Sequence, residues 1–162
     1  ITFHTPLDST THHIIDDSLI ALMPSTGTII NASRGEVAST EALRKATQRL
    51  CIDVWEREPN IDLALLDKAF IATPHIAGYS AQGKANASSI VVRAIAQRFA
   101  LPLTEWYPEA VKPTLRQPIG WQEMCRSIAT HCDLAAQTRI LKEHYVDFEA
   151  LRNNYHYREE YF

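Results

Sequence analysis

Cysteine is scarce in this chain of 162 residues: Cys51, Cys125 and Cys132 are odd in number and lack the spacing of a disulfide framework. That excludes a small disulfide-stapled scaffold and points to a reducing, cytoplasmic setting. Cys125 and Cys132, seven apart with His131 beside them, are read as helix packing, so no metal is expected. Long apolar runs are also missing. The nearest, "SSIVVRAIAQRFA", is interrupted by Arg93 and Arg98 and is too short and too charged to span a bilayer, so no membrane partner is expected. Excess basic charge is lacking too. The net charge is −3 with no basic stripe, which argues against a nucleic-acid partner. The opening "ITFHTPLDST" has no basic segment leading into an apolar one, so it is no signal peptide. It reads as a strand entered midway, without a starting methionine, and a fragment of a longer chain is expected.

What is present is an alternation of strand-like and helix-like stretches. "ITFH" is a β-rich run stopped at Thr5-Pro6, and "DDSLIALM" a short amphipathic helix with its acidic residues where the helix dipole favours them. "GTIINAS", "LCIDVW" and "AFIATPH" read as buried strands. "STEALRKATQ", with Ser39 as N-cap, and "IDLALLDK" read as the helices between them. A long helix is expected from about Ser80 to Ala100. Apolar strands alternating with helices predict an α/β fold, a doubly wound parallel sheet covered on both faces. The domain boundary is placed at residue 100. Beyond it, "LPLTEWYPEAVKPTLRQPIG" holds four of the eight prolines and reads as an irregular connection. "WQEMCRSIATHCDLAAQTRILKEHY" is helical in composition. "DFEALRNNYHYREEY" is expected as a final helix with Asp147 as N-cap and Phe148, Leu151, Tyr155 and Arg158 along one face, packing on its own domain or on a partner subunit.

Ligands of such sheets sit outside the carboxyl ends of the strands, where the unusual residues of this chain fall. Thr5 follows the first strand, "NASRG" the second, Asp53 ends the third, and His75 in "ATPHIAGYS" follows the fourth. Singly, each has a bland reading: a solvated loop arginine, a surface glutamate before proline, a hydrogen-bonded structural histidine. Together they meet the needs of alcohol oxidation. Imidazole titrates near neutrality and suits removal of the hydroxyl proton, which makes His75 the candidate base. Glu58 is the candidate carboxylate to orient its ring, and Arg34 the candidate guanidinium to grip a substrate carboxylate. Asp53 either accepts hydrogen bonds from a dinucleotide or caps a turn. Gly78 either admits a ligand close to the backbone or is a simple turn residue.

"HTPL", "INASRG", "DVWEREP" and "PHIAGYS", in that order and spacing over roughly residues 1–100, resemble the D-isomer-specific 2-hydroxyacid dehydrogenases. The resemblance implies catalytic roles for Arg34, Glu58 and His75, and NAD as cofactor near Thr5, Ala32, Ser33, Arg34, Asp53 and Gly78. "HIAGYSAQGKA" and the tail "DFEALRNNYHYREEY" resemble a narrower group within the family, which oxidises a phosphorylated four-carbon acid at C2 and carries a C-terminal dimerisation domain. That implies Tyr79 at the substrate, a small α+β dimerisation domain over residues 101–162, and a homodimer. Relatives acting on hydroxypyruvate, glyoxylate or phosphoglycerate are the alternative within the family, and a non-catalytic dimerisation module the alternative outside it. There are departures. None of the glycines, Gly27, Gly35, Gly78, Gly83 and Gly120, forms a G-x-G-x-x-G turn, so the first βαβ unit of a Rossmann-type domain is not expected in this chain. Ser39 replaces an acidic residue common after "RG", and the stretch after "HTPL" is shortened. Taken alone, residues 1–162 are expected to be inactive.

Overall fold

The computed structural model describes residues 1–113 and 118–160. Residues 114–117 of the proline-rich connection and Tyr161 of the expected last helix lie outside them. The described residues fall into two compact units. One comprises Ile1–Ala77 with Leu134–Tyr155; the other comprises Gly78–Asp133 with the residues from His156 onward. The first unit therefore includes a segment from beyond residue 100, on the far side of the boundary expected from the sequence.

The first unit is built on a parallel four-stranded sheet in sequence order, from β1 (Thr2–Phe3) and β2 (Thr28–Asn31) to β3 (Arg49–Ile52) and β4 (Ile71–Ala72). Short helices cross between the strands: α1 (Asp17–Ala21), α2 (Thr40–Lys45) and α3 (Leu63–Lys68). Each starts where a side chain accepts from an otherwise orphaned N–H. Asp16 takes Leu19 N at 2.8 Å, Ser39 takes Ala42 N at 3.3 Å, and Asp62 takes Leu65 N at 2.8 Å. Ile29, Leu50 and Ile52 point into the core with Ile15, Leu43, Leu65 and Phe148.

The opposite face of the sheet is more open than continuous apolar strands suggested. Ile30 is 40% exposed while its neighbour Ile29 is fully buried, because successive strand residues face opposite sides. A fourth helix of this unit, Leu134–Glu143, packs against β4. Thr138 Oγ1 accepts from Ala72 N at 3.0 Å, and Lys142 Nζ donates to the carbonyls of Asp67 and Ala69 at 2.8 and 2.9 Å. The edge strand and the end of α3 thereby gain partners that the sheet cannot offer them.

The run 121–145, expected as one helical stretch, breaks at Cys132–Asp133 into α5 (Trp121–His131) and α6 (Leu134–Glu143). Cys132 thus sits just past a helix end rather than on a face shared with Cys125. The expected last helix is shorter than its pattern suggested. α7 covers Phe148–Asn153, with Asp147 at its N-cap position but making no side-chain cap bond, so Tyr155 and Arg158 lie beyond it. The stripe is real only for Phe148, 1% exposed, and Leu151, which packs on the core. The second unit is led by the long helix α4 (Ala81–Phe99), whose first turn is capped by Ser80 Oγ accepting from Gly83 N at 3.0 Å. After Ala100 the described residues form helices and one isolated parallel bridge, Ser80 with Arg158. Among the described residues no helix is long and apolar enough to cross a membrane, and no cluster of side chains is fit to hold a metal ion.

Candidate active site

The sheet register sets the level of the site. Phe3, Asn31, Ile52 and Ala72 are partners across the four strands. Three residues further along the last three strands come Arg34, Trp55 and His75, so all leave the sheet at one height. With neighbouring strands roughly 5 Å apart, the exits leading to Arg34 and His75 are about 10 Å apart, with the β3 exit between them.

His75 is held in a backbone conformation that a histidine rarely adopts, with φ at 58°. Such a residue costs about 1–2 kcal/mol, and the surrounding bonds supply the compensation. His75 N–H donates to Asp53 O at 2.8 Å. The Asp53 carboxylate accepts Thr73 Oγ1 at 2.6 Å, Ile76 N at 2.8 Å and Ala77 N at 3.1 Å. The geometry therefore gives Asp53 the turn-capping role, with residual acceptor capacity on Oδ2. The Pro-His-Ile-Ala step thus turns the chain just past β4, and the Asp53 carboxylate holds that turn.

The His75 ring meets Glu58. His75 Nδ1 lies 2.8 Å from Glu58 Oε2, both side chains being about three-quarters or more covered, while Glu58 Oε1 accepts from Trp55 N at 2.8 Å. A carboxylate on Nδ1 selects the tautomer with the proton there and leaves Nε2 to accept a proton. Glu58 reaches this position because Arg57 before it also has a positive φ, 61°. Trp55, 3% exposed, fixes the same corner by donating Nε1 to Thr73 O at 3.0 Å.

The Arg34 turn is held by residues that the motif reading left without roles. Buried Asn31 donates Nδ2 to Arg34 O at 3.0 Å, and its Oδ1 accepts from Ser33 N and Ser33 Oγ at 3.2 and 2.8 Å. Gly35 packs directly on the β3 exit: a Cβ there would lie 2.1 Å from Trp55 O and 2.6 Å from Glu56 N. The one available signal was Gly35 following an arginine at a strand end, which does not say what the glycine must clear. Arg34 itself is exposed and donates Nη1 to Ser33 O at 2.6 Å.

Beside this turn, His4–Leu7 and Ala32–Arg34 line a cleft of about 610 Å³. Thr5 Oγ1 is buried there without a hydrogen-bond partner. An unpaired buried hydroxyl facing a polar cleft fits a ligand rich in hydroxyl and phosphate groups, as a dinucleotide is. Thr5, Ala32, Ser33 and Arg34 are thus grouped at one cleft. Gly78 and Tyr79 begin the second unit. A Cβ on Gly78 would meet nothing within 4 Å, and Tyr79 stacks edge-on to Tyr157 with ring centroids 5.5 Å apart.

A second ionic corner, also unread in the sequence, is built on Glu56, two residues before Glu58 in the chain. His13 Nε2 is 2.6 Å from Glu56 Oε1, and Thr40 N donates to Glu56 Oε2 at 2.8 Å. Burial works against the charged form of Glu56, but the Thr40 hydroxyl and amide together with His13 outweigh it and hold the carboxyl below its ordinary value.

Residues 1–77 match the family described as D-isomer specific 2-hydroxyacid dehydrogenase, NAD binding domain. The chain is 40% identical to an erythronate-4-phosphate dehydrogenase of Bacteroides fragilis over 99% of its own length and 48% of that protein's, and 35% identical to the Photorhabdus laumondii enzyme of the same name over the same shares. It thus spans about half the length of the curated relatives it matches. Among solved structures, a D-lactate dehydrogenase from Aquifex aeolicus, complexed with NAD and lactic acid, is 27% identical with a TM-score of 0.50, over 70% of this chain and 41% of that one. With the parallel sheet and the grouping of residues at its carboxyl edge, these matches make the chain similar to the NAD-binding domain of the D-isomer specific 2-hydroxyacid dehydrogenases over residues 1–77, and to the erythronate-4-phosphate dehydrogenases over nearly its whole length.

Proposed function

We propose that this chain carries the catalytic histidine of an NAD-dependent dehydrogenase that oxidises 4-phospho-D-erythronate at C2 to 3-hydroxy-2-oxo-4-phosphooxybutanoate, a step of pyridoxal phosphate biosynthesis. The observation that carries the reading is the His75–Glu58 pair at the end of β4. His75 Nε2 takes the proton of the C2 hydroxyl, and the Glu58 carboxylate on Nδ1 stabilises the imidazolium that forms. Arg34 grips the substrate carboxylate and polarises the oxygen on C2. NAD, when bound, supplies the acceptor for the hydride leaving C2. Thr5, Ala32, Ser33 and Arg34 hold the dinucleotide from the cleft at the β1 and β2 ends, Asp53 offers Oδ2 to it, and Gly78 leaves its backbone open to it. Tyr79 contacts the substrate.

In this reading residues 1–100 form the C-terminal part of the NAD-binding domain, and residues 101–162 form a dimerisation domain that pairs two copies in the cytoplasm. The names of the curated relatives favour the phosphorylated four-carbon acid over hydroxypyruvate, glyoxylate or phosphoglycerate. The test is NADH formation by the polypeptide that carries these residues, offered 4-phospho-D-erythronate or the competing hydroxy acids. Turnover of the first, lowered about 10²–10⁴-fold by His75→Ala, is the expected result. A preference for hydroxypyruvate overturns the substrate assignment, and undiminished turnover in the variant overturns the role of His75.

A further inference from the structure

Backbone strain in this chain is concentrated along one connected path. Among the described residues four that are not glycine have positive φ: His13 at 53°, Arg57 at 61°, His75 at 58° and Ala100 at 52°. Ala100 ends α4 in the left-handed conformation common at helix ends. The other three lie on a single line of contacts. His75 Nδ1 meets Glu58 Oε2 at 2.8 Å, Arg57 joins Glu58 to Glu56, and Glu56 Oε1 meets His13 Nε2 at 2.6 Å. Left-handed backbone at such residues persists only where the surroundings over-determine it, and it gathers at functional sites.

The bend from Trp55 to Glu58 is held by both of its carboxylates. Glu58 Oε1 accepts from Trp55 N, and Glu56 Oε2 accepts from Thr40 N at the start of α2, each at 2.8 Å. Because an ionised carboxylate only accepts, His13 Nε2 is the donor to Glu56. The segment that carries His13 is laced in turn to the stretch that follows Arg34. His13 N donates to Glu36 O at 2.8 Å, Ile15 N to Val37 O at 3.1 Å, and Ser39 N to Ile15 O at 2.9 Å. Two cations on the same cleft of about 760 Å³ have partners of their own, Lys45 with Glu41 at 2.8 Å and Arg44 with Asp62 at 3.7 Å. His13 therefore reaches Glu56 across forty-three residues of chain with a side chain still 38% exposed, which core packing does not require. We propose that His13 is a positioning residue: through Glu56 it fixes the bend at residues 55–58, and with it the placement of Glu58 on His75. Its effect on turnover rests on the function proposed above; its effect on the His75–Glu58 pair does not.

Two substitutions separate the contact from the backbone. His13→Asn suits the positive φ, but its amide ends short of Glu56, whereas His13→Gln restores the reach of the donor. The first readout is nitrogen NMR of the His75 ring in the 162-residue chain without cofactor or substrate. In the unaltered chain the neutral ring is expected to carry its proton chiefly on Nδ1, where Glu58 accepts it. His13→Asn is expected to shift the ratio of the two tautomers at least about fivefold toward the Nε2–H form, and His13→Gln to hold it within about twofold. A ratio that His13→Asn leaves unmoved overturns the proposal even if Tm falls, because a purely structural histidine would change stability and not the His75 ring. A shift as large in His13→Gln overturns the donor role. The second readout is oxidation of 4-phospho-D-erythronate, where His13→Asn is expected to lower kcat about tenfold with KM changed less than about threefold, and His13→Gln to recover most of the loss. Undiminished kcat in His13→Asn overturns the proposal and leaves the catalytic reading standing. If the tautomer ratio depends on His13 but the acid is never oxidised, the positioning role stands and the catalytic reading fails.

Discussion

Replacing Gly35 by alanine offers a sharp test of how the Arg34 turn is built. The added methyl would lie 2.1 and 2.2 Å from the carbonyl oxygen and carbon of Trp55 and 2.6 Å from Glu56 N. Ordinary contact begins above 3.4 Å, so the turn must retreat from the β3 exit by more than 1 Å. The obstacle is backbone, not the tip of a flexible side chain, and Trp55 is pinned by the bonds from its N to Glu58 and from its Nε1 to Thr73. Overpacking against a rigid neighbour costs about 1–3 kcal/mol, and this case belongs at the upper end. For a chain of this size that is a fall in Tm of roughly 6–12 °C, readable by circular dichroism and confirmed by urea titration with an unchanged slope. A retreat of the turn also carries Arg34 away from the His75–Glu58 pair, and a displacement of about 1 Å in a substrate-orienting group lowers turnover by about 10². A Gly35→Ala protein that melts within about 1 °C of the unaltered chain would show that the two loops do not touch as described.

Asp53→Ala removes a carboxylate that accepts three hydrogen bonds, two of them from the backbone just beyond His75. A loss of about 2–4 kcal/mol is expected by urea unfolding, whereas a purely cofactor-binding Asp53 would leave the stability of the ligand-free chain unmoved. Glu58→Gln keeps the shape of the His75 partner and removes its charge, so kcat should fall about 10²–10³-fold with little change in Tm; a loss below threefold would refute the orienting role. Glu56 titrates lower in the folded chain than its ordinary 4.5. Its contribution to stability is therefore complete above that value and lost as pH falls through the lowered one. Unfolding measured across pH 3–6 (an interval of about three units around the ordinary carboxylate value) should steepen toward acid, and Glu56→Gln should flatten that dependence. An identical slope in the variant would count against the His13–Glu56–Thr40 cluster.

The sequence determined the order of strands and helices, the N-cap at Ser39, and the line of Arg34, Glu58 and His75 along one sheet edge. Those features are written in local chemistry: apolar runs of strand length, a hydroxyl-bearing side chain ahead of α2, and polar residues where each strand stops. Only the tertiary structure decided how the histidine is presented. The φ of 58° at His75 depends on the Asp53 carboxylate, which lies a strand away, and no pattern near residue 75 declares that partner. The same holds for Asn31 bracing the Arg34 turn and for Gly35 lying on Trp55, since a close approach between two loops leaves no periodicity in either. The helix 134–143 looked like part of a separate C-terminal region because its composition changes after residue 100, but composition says nothing of where a helix docks. It packs on β4 because that edge strand has a backbone N–H to satisfy and Thr138 offers the oxygen. The tail after α7 continued a helical spacing in sequence yet runs extended, since its backbone finds partners on Ala81 and Gln82 that a further turn of helix would have taken away.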